Sequence, residues 1–311
     1  MRNYILSIDL GGTNAKLAIL DRRLSIRHRV YFSTKDFISS RQALISEIVK
    51  RADALLKAQN LKRSQICGVG IGVPGPVDFI KGKIYFLPNI PYWENTPIRQ
   101  ILSRRMRLRV VVDNDVNLMT LAETTLGAAK GANNAICLTL GTGVGGGLLL
   151  DGKIFRGSSF CAGELGHIPI SIDGPRCNCG GRGCLEKYVG NAVITAKAKK
   201  IFRRRDMTCE KLSYLANNNN KKAISIYQDF SRKIGIGLAG VVNVLNPEII
   251  VIGGGLSNAG PFLFKEIKKT INERAMPIQS KLVRVRKAAL GNDAGLIGAA
   301  LLVLKDLKFK V

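Results

Sequence analysis

The apolar positions of this chain fall into two rhythms. Short apolar runs bounded by glycine or proline read as strands at residues 4–8, 17–20, 66–73, 109–112, 135–140, 148–150 and 248–252. Between them, apolar residues recur at helical spacing. Residues 40–59 put Leu44, Ile48, Ala52 and Leu55 on one face, a stripe assigned to the core. Residues 116–126, 223–245 and 292–304 read as further helices, the second of these stopped by Pro247. The polar run 217–220 reads as a loop. Strands alternating with helices indicate an α/β fold.

One arrangement occurs twice. An apolar strand ends at Asp9, passes through Gly11, Gly12, Thr13 and Asn14 to Lys16, and resumes as a strand. A second apolar strand passes through Gly141, Thr142 and Gly143 and resumes in the same way. The two hairpins lie about 130 residues apart, on the scale of a domain. Glycine lets backbone N–H groups approach an anion closely, and Thr13 and Asn14 add side-chain donors. Asp9 is placed to orient a hydrated metal ion. The Walker lysine pattern is absent, so neither loop is a P-loop. A plain tight hairpin accounts for either loop taken alone. The pair predicts a duplicated α/β fold whose halves each offer a loop to one polyphosphate across a central cleft. Gly254 and Gly255 follow the strand at 248–252. They either let a flat group such as adenine lie against backbone or form an ordinary strand-to-helix turn.

The 311 residues suffice for one large core or two moderate ones. The longest apolar region, 234–256, is interrupted by Asn243, Asn246, Pro247 and Glu248, which excludes a membrane span. No secretory pattern precedes the first strand, so a cytoplasmic location is expected. The formal net charge of +26 raises nucleic-acid binding. The cations are spread along the chain with few aromatics, so no specific nucleic-acid role is expected. A basic surface that attracts anionic substrates suffices.

Chemistry concentrates in residues 163–186. Cys177, Cys179 and Cys184 form a C-x-C-x4-C array ten residues after His167. Three thiolates and one imidazole make a closed tetrahedral zinc set, against the alternative of three ordinary cysteines in a Gly-rich turn. Glu164 and Glu186 bracket the array, where they can hold a polar ligand. Asp115, at a strand-to-helix junction, is a candidate base with Asn114 beside it; either side chain can instead cap the helix. Asn89, between two prolines, is a candidate donor and acceptor for a sugar hydroxyl, with turn capping its other role, and the rigid turn 74–78 containing Gly75 can line a cleft.

In these motifs the chain resembles the ROK family (repressors, open reading frames and kinases) over essentially its whole length. Residues 9–16 and 140–147 resemble that family's two phosphate loops, and 163–167 with 177–186 resemble its sugar and zinc signatures. The resemblance implies a two-lobed actin-like ATPase (ribonuclease H-like) fold with a zinc-bound loop. The lobes are expected at residues 1–112 plus 299–311 and at 113–298. It further implies an ATP-dependent hexose kinase using Mg²⁺ and structural Zn²⁺. Asp115 would be the catalytic base. Asn114, Glu164, His167 and Glu186 would contact the sugar, with Gly75 and Asn89 lining its pocket. His167 would use one ring nitrogen for zinc and the other for sugar. Glucose is the expected substrate; N-acetylglucosamine and N-acetylmannosamine are alternatives, as is polyphosphate as donor. A homo-oligomer, dimer or tetramer, is implied. The family's repressors carry a helix-turn-helix before the first strand, for which residues 1–3 leave no room. A sensor without catalysis would lack the base or a loop, and this chain has both.

Overall fold

The computed structural model describes residues 2–309. They group into two compact units. The first comprises the N-terminal stretch through Ala122, Arg156–Ala162 and the C-terminal stretch from Asn292. The second comprises Glu123–Phe155 and Gly163–Gly291.

In the first unit β1 (Tyr4–Leu10), β2 (Asn14–Asp21) and β3 (Ile26–Ser33) form an antiparallel meander. Helix α1 (Arg41–Ala58) follows, capped by Ser40, whose hydroxyl accepts from the Ala43 N–H at 3.2 Å. It buries the stripe expected of it: Leu44, Ile48, Ala52 and Leu55. Strand β4 (Ile66–Val73) then pairs parallel to β1. It is buried at every position, as a strand covered on both faces must be. A short ladder, β5 (Val77–Asp78) with β6 (Lys83–Ile84), and α2 (Ile98–Met106) lead to β7 (Val110–Asn114), parallel to β4. Helix α3 (Asp115–Thr125) leaves directly from the end of β7. The sheet order is β3-β2-β1-β4-β7.

The second unit repeats this plan. Strands β8 (Ala135–Leu140), β9 (Val144–Leu150) and β10 (Lys153–Phe155) form an antiparallel meander. Helices α4 (Glu186–Val189), α5 (Asn191–Phe202), α6 (Cys209–Asn217) and α7 (Lys221–Leu245) follow. Strand β11 (Ile249–Gly253) then pairs parallel to β8; α8 (Pro261–Arg274) and α9 (Pro277–Leu282) precede β12 (Arg284–Lys287), parallel to β11. The order β10-β9-β8-β11-β12 matches the first sheet strand for strand, as duplication predicts. The last helix, α10 (Ala294–Asp306), belongs to the first unit, where it packs on β1 and β4 and is buried along most of its length. No helix among the described residues is long and apolar enough to cross a membrane.

Three departures from expectation have an identifiable cause. Strand β3 has no counterpart in the apolar pattern, because Arg27, His28 and Arg29 are exposed on this edge strand and leave no alternation. The polar run at 217–220 is only partly loop: Asn217 ends α6, and Asn220 caps α7 by accepting from the Ala223 N–H at 3.1 Å. The unit boundaries fall near 122 and 292 rather than 112 and 299. Because β7 pairs with β4, it carries Asp115 and the first turns of α3 with the first unit.

Candidate active site

The first Gly/Thr loop joins β1 to β2. The Gly11 N–H donates to the Asn14 carbonyl at 2.9 Å, closing the turn. Thr34 braces it, donating from its hydroxyl to the Gly11 carbonyl and from its backbone N–H to the Thr13 carbonyl. The N–H groups of Gly12 and Thr13 have no partner among the described residues, and the Thr13 and Asn14 side chains are exposed. These are the unspent donors that an anion needs. Lys16 is differently occupied: its ammonium donates to Asp9 Oδ2 at 3.2 Å and to the Asn292 carbonyl at 3.0 Å. The other Asp9 oxygen is left for a ligand. A Cβ on Gly295, in the first turn of α10, would lie 2.9 Å from the Asp9 carboxyl carbon, so only glycine lets that helix approach so closely.

Asp113, Asn114 and Asp115 follow one another, and their environments give them different roles. Asp113 is buried. Its Oδ2 accepts from Arg156 Nε at 3.0 Å and Nη2 at 2.5 Å, and its Oδ1 from the Asn114 N–H and Asn117 Nδ2. Arg156 also stacks on Phe79, 3.8 Å from the ring centre. Asn114 caps α3: its Oδ1 accepts from the N–H groups of Val116 and Asn117, and its Nδ2 donates to the Gly75 carbonyl at 3.2 Å. The capping role thus occupies the carbonyl of the residue expected to contact sugar. Asp115 accepts from the Val116 N–H at 2.9 Å, also interacts with the Asn114 side chain, and forms no ion pair among the described residues. Desolvation, with a contribution from the charge of Asp9, pushes its carboxyl up to about 7. A group poised there suits a general base. Asn89 is exposed beside Gly12, with no side-chain hydrogen bond among the described residues.

In the second unit the corresponding loop joins β8 to β9. The Gly141 N–H donates to the Gly143 carbonyl at 3.0 Å, which leaves the N–H groups of Thr142 and Gly143 unspent among the described residues. Glu186, at the start of α4, accepts from the Val144 N–H at 2.8 Å through Oε2. The same oxygen would lie 2.6 Å from a Cβ on Gly143. Glu186 therefore braces the phosphate-like loop, a role that its place in the sequence does not mark. Gly254, at φ +83, presents its carbonyl to the Ser257 hydroxyl at 2.7 Å, and Gly255 stands in open space. Glu164 lies 3.8 Å from His167 Nε2 with about half its side chain exposed (55%). Desolvation raises its carboxyl above the usual range; His167 opposes this and Glu186 adds to it.

His167 Nδ1 lies 3.6 Å from Cys177 Sγ, Cys179 Sγ lies 3.6 Å from Cys184 Sγ, and all four ligand atoms fall within 4.8 Å of one another. A tetrahedral site with metal–sulfur bonds of about 2.3 Å and a metal–nitrogen bond of about 2.0 Å has edges of roughly 3.5–3.8 Å. The His167–Cys177 and Cys179–Cys184 separations match that figure, and the remaining ones lie within 4.8 Å. Burial and the two neighbouring thiols push the Cys184 thiol up to about 12, while Cys179 is lowered, chiefly by the Gly181 backbone. Such a cluster ionises fully only around a cation.

Two buried charge contacts near these elements are invisible in the sequence. Arg156 stands 43 positions from the carboxylate it holds, and nothing near it marks the pairing. Glu123 is fully buried and accepts from the N–H groups of Ala128, Ala289 and Leu290.

Known proteins resemble the chain over nearly its whole length. The glucokinase of Halalkalibacterium halodurans is 35% identical, over 96% of this chain and 94% of its own length. The N-acetyl-D-glucosamine kinase of Yersinia pseudotuberculosis is 28% identical over 96% and 98%. Among solved structures, the ROK hexokinase of Thermus thermophilus is 31% identical, with TM-score 0.81 over 98% of this chain and 99% of its own. A ROK family glucokinase from Streptomyces griseus, in complex with glucose and AMPPNP, is 28% identical, with TM-score 0.83 over 96% and 98%. The ROK family profile matches residues 5–306, and the chain belongs to the ROK family.

Proposed function

We propose that this protein is an ATP-dependent hexose kinase that phosphorylates the C6 hydroxyl of glucose. The observation that carries the reading is the contrast within residues 113–115. One carboxylate is spent on Arg156, one amide on a helix cap, and Asp115, touched only by its neighbours Asn114 and Val116 and without an ion pair among the described residues, has its pKa near 7. Asp115 accepts the proton of the sugar hydroxyl as its oxygen bonds to the γ-phosphorus, and ADP departs with the bond to its bridging oxygen. Charge in such a transfer stays spread over phosphate oxygens, so positioning and electrostatics dominate. The free N–H groups of Gly12, Thr13, Thr142 and Gly143 are the donors assigned to phosphate oxygens. Gly254 and Gly255 are assigned to the adenosine, and Asn89, Glu164 and His167 to sugar hydroxyls. Glu186 serves through the second loop.

Two metals complete the proposal. One carboxylate oxygen with nucleotide phosphates is an ordinary Mg²⁺ donor set, and Asp9 offers that oxygen; Mg²⁺ supplies charge neutralisation on the phosphates. Zn²⁺ is assigned to His167 Nδ1, Cys177, Cys179 and Cys184, where it fixes the His167 ring and the loop around it.

The test is a coupled ADP-release assay with Mg-ATP, and separately with polyphosphate, against glucose, N-acetylglucosamine, N-acetylmannosamine and mannose, with and without a zinc chelator. Turnover strongest on glucose is expected, with loss on zinc removal. Preference for an N-acetylhexosamine, as in the Yersinia relative, would move the substrate assignment. No turnover with folded, zinc-loaded protein would overturn the kinase reading.

A further inference from the structure

A groove in the second unit lies between α8, α9 and β12, with a cavity volume of about 640 Å³. Six cations face it: Lys265, Lys268, Lys269, Lys281, Arg284 and Arg286. Glu273 is the single acid lining it, 3.9 Å from Lys269. From Lys265 to Lys287 the chain carries eight Lys and Arg against two Glu, an imbalance that the fold gathers onto one face. Lys265, Lys281, Arg284 and Arg286 are exposed and form no ion pair among the described residues. Lys268 is committed to the fold. Its ammonium donates to the Ser280 and Val283 carbonyls and so ties α8 to the turn before β12, fixing the groove's wall. The floor includes Phe264, Val283 and Val285.

We propose that this groove is a sequence-independent binding site for single-stranded nucleic acid. Four unpaired cations held in one concavity repel one another, and a chain of phosphates relieves that repulsion while releasing its own counterions. An apolar floor with one aromatic ring suits the faces of unstacked bases, whereas inorganic polyphosphate has no use for it. Neither Gly/Thr loop contributes a residue, so the site is separate from the kinase chemistry.

The experiment is fluorescence anisotropy of the full-length, zinc-loaded protein with a labelled oligouridylate of about 12 nucleotides, within the range of known single-strand site sizes. With about four phosphates neutralised, log affinity should fall against log salt with a slope near −3. The triple variant Lys281→Glu/Arg284→Glu/Arg286→Glu should lose at least tenfold in affinity and keep its sugar-kinase rate. A control with the same change in net charge, Lys199→Glu/Lys200→Glu/Arg205→Glu, should lose little. Equal loss in both variants would mean that net charge alone binds, and would overturn the site. Binding of polyphosphate but not oligonucleotide would overturn the class of ligand. Should the triple variant not fold, protection of Lys265 and Lys281 from acylation by bound oligonucleotide in the unaltered protein decides: protection supports the groove, and unchanged labelling refutes it.

Discussion

Asp115 should be a residue that the fold would be more stable without. Its carboxyl ordinarily titrates at 3.8 and is pushed to about 7, chiefly by desolvation. At about 1.4 kcal/mol per tenfold change in proton affinity, keeping it charged costs at most about 4 kcal/mol. The side chain keeps some exposure, which makes that an upper bound. The sign follows from linkage. Between about pH 4 and 7 the folded protein holds a proton that the unfolded chain has released, so stability falls as pH rises through this window and levels off above it. Asp115→Asn has a similar shape, can still accept from the Val116 N–H, and does not titrate. The variant should match the unaltered protein in stability near pH 4 and exceed it by roughly 2–4 kcal/mol at pH 8. Urea unfolding followed by tryptophan fluorescence suits the test, because Trp93, the single tryptophan, is fully buried in the same unit. Activity should move the opposite way, falling by at least the ~10²–10⁴ of a lost general base. A stability gap equal at pH 5 and pH 8, or activity above about a tenth, would refute the reasoning.

Other consequences can be checked directly. In a pH–rate profile, kcat/KM for the sugar should fall about tenfold per pH unit below roughly pH 6, as Asp115 of the free protein protonates. Arg156→Ala strands the buried Asp113 charge and should destabilise the first unit by about 3–5 kcal/mol, measured by the same urea titration. Glu186→Ala removes a charge-assisted bond to the second loop, worth about 1.5–3 kcal/mol, and should raise KM for ATP at least tenfold; a rise confined to KM for glucose would instead make Glu186 a sugar ligand. Cys179→Ser should lower bound zinc below one equivalent by elemental analysis and lower the melting temperature.

Local pattern is enough for much of this protein. The strands at 66–73 and 135–140, the helix stripe of α1 and the two Gly/Thr hairpins are legible because strand alternation, helical spacing and glycine turns are written in neighbouring residues. The cluster of His167, Cys177, Cys179 and Cys184 is legible for the same reason: it spans 18 positions of one loop. What each carboxylate does is not. Asp113 and Asp115 are the same residue type two positions apart, and only an arginine 43 positions away, brought in by the chain after β10, separates the ion-paired acid from the other. Glu186 likewise reads only as a ligand beside the cysteines, and the fold alone shows that one of its oxygens accepts from the Val144 N–H. The exposed β3 and the basic groove escape a sequence reading because neither carries a local signature. Periodicity encodes elements, whereas charge pairing, desolvation and the gathering of like charges depend on which elements meet, and that is settled by packing of the whole chain.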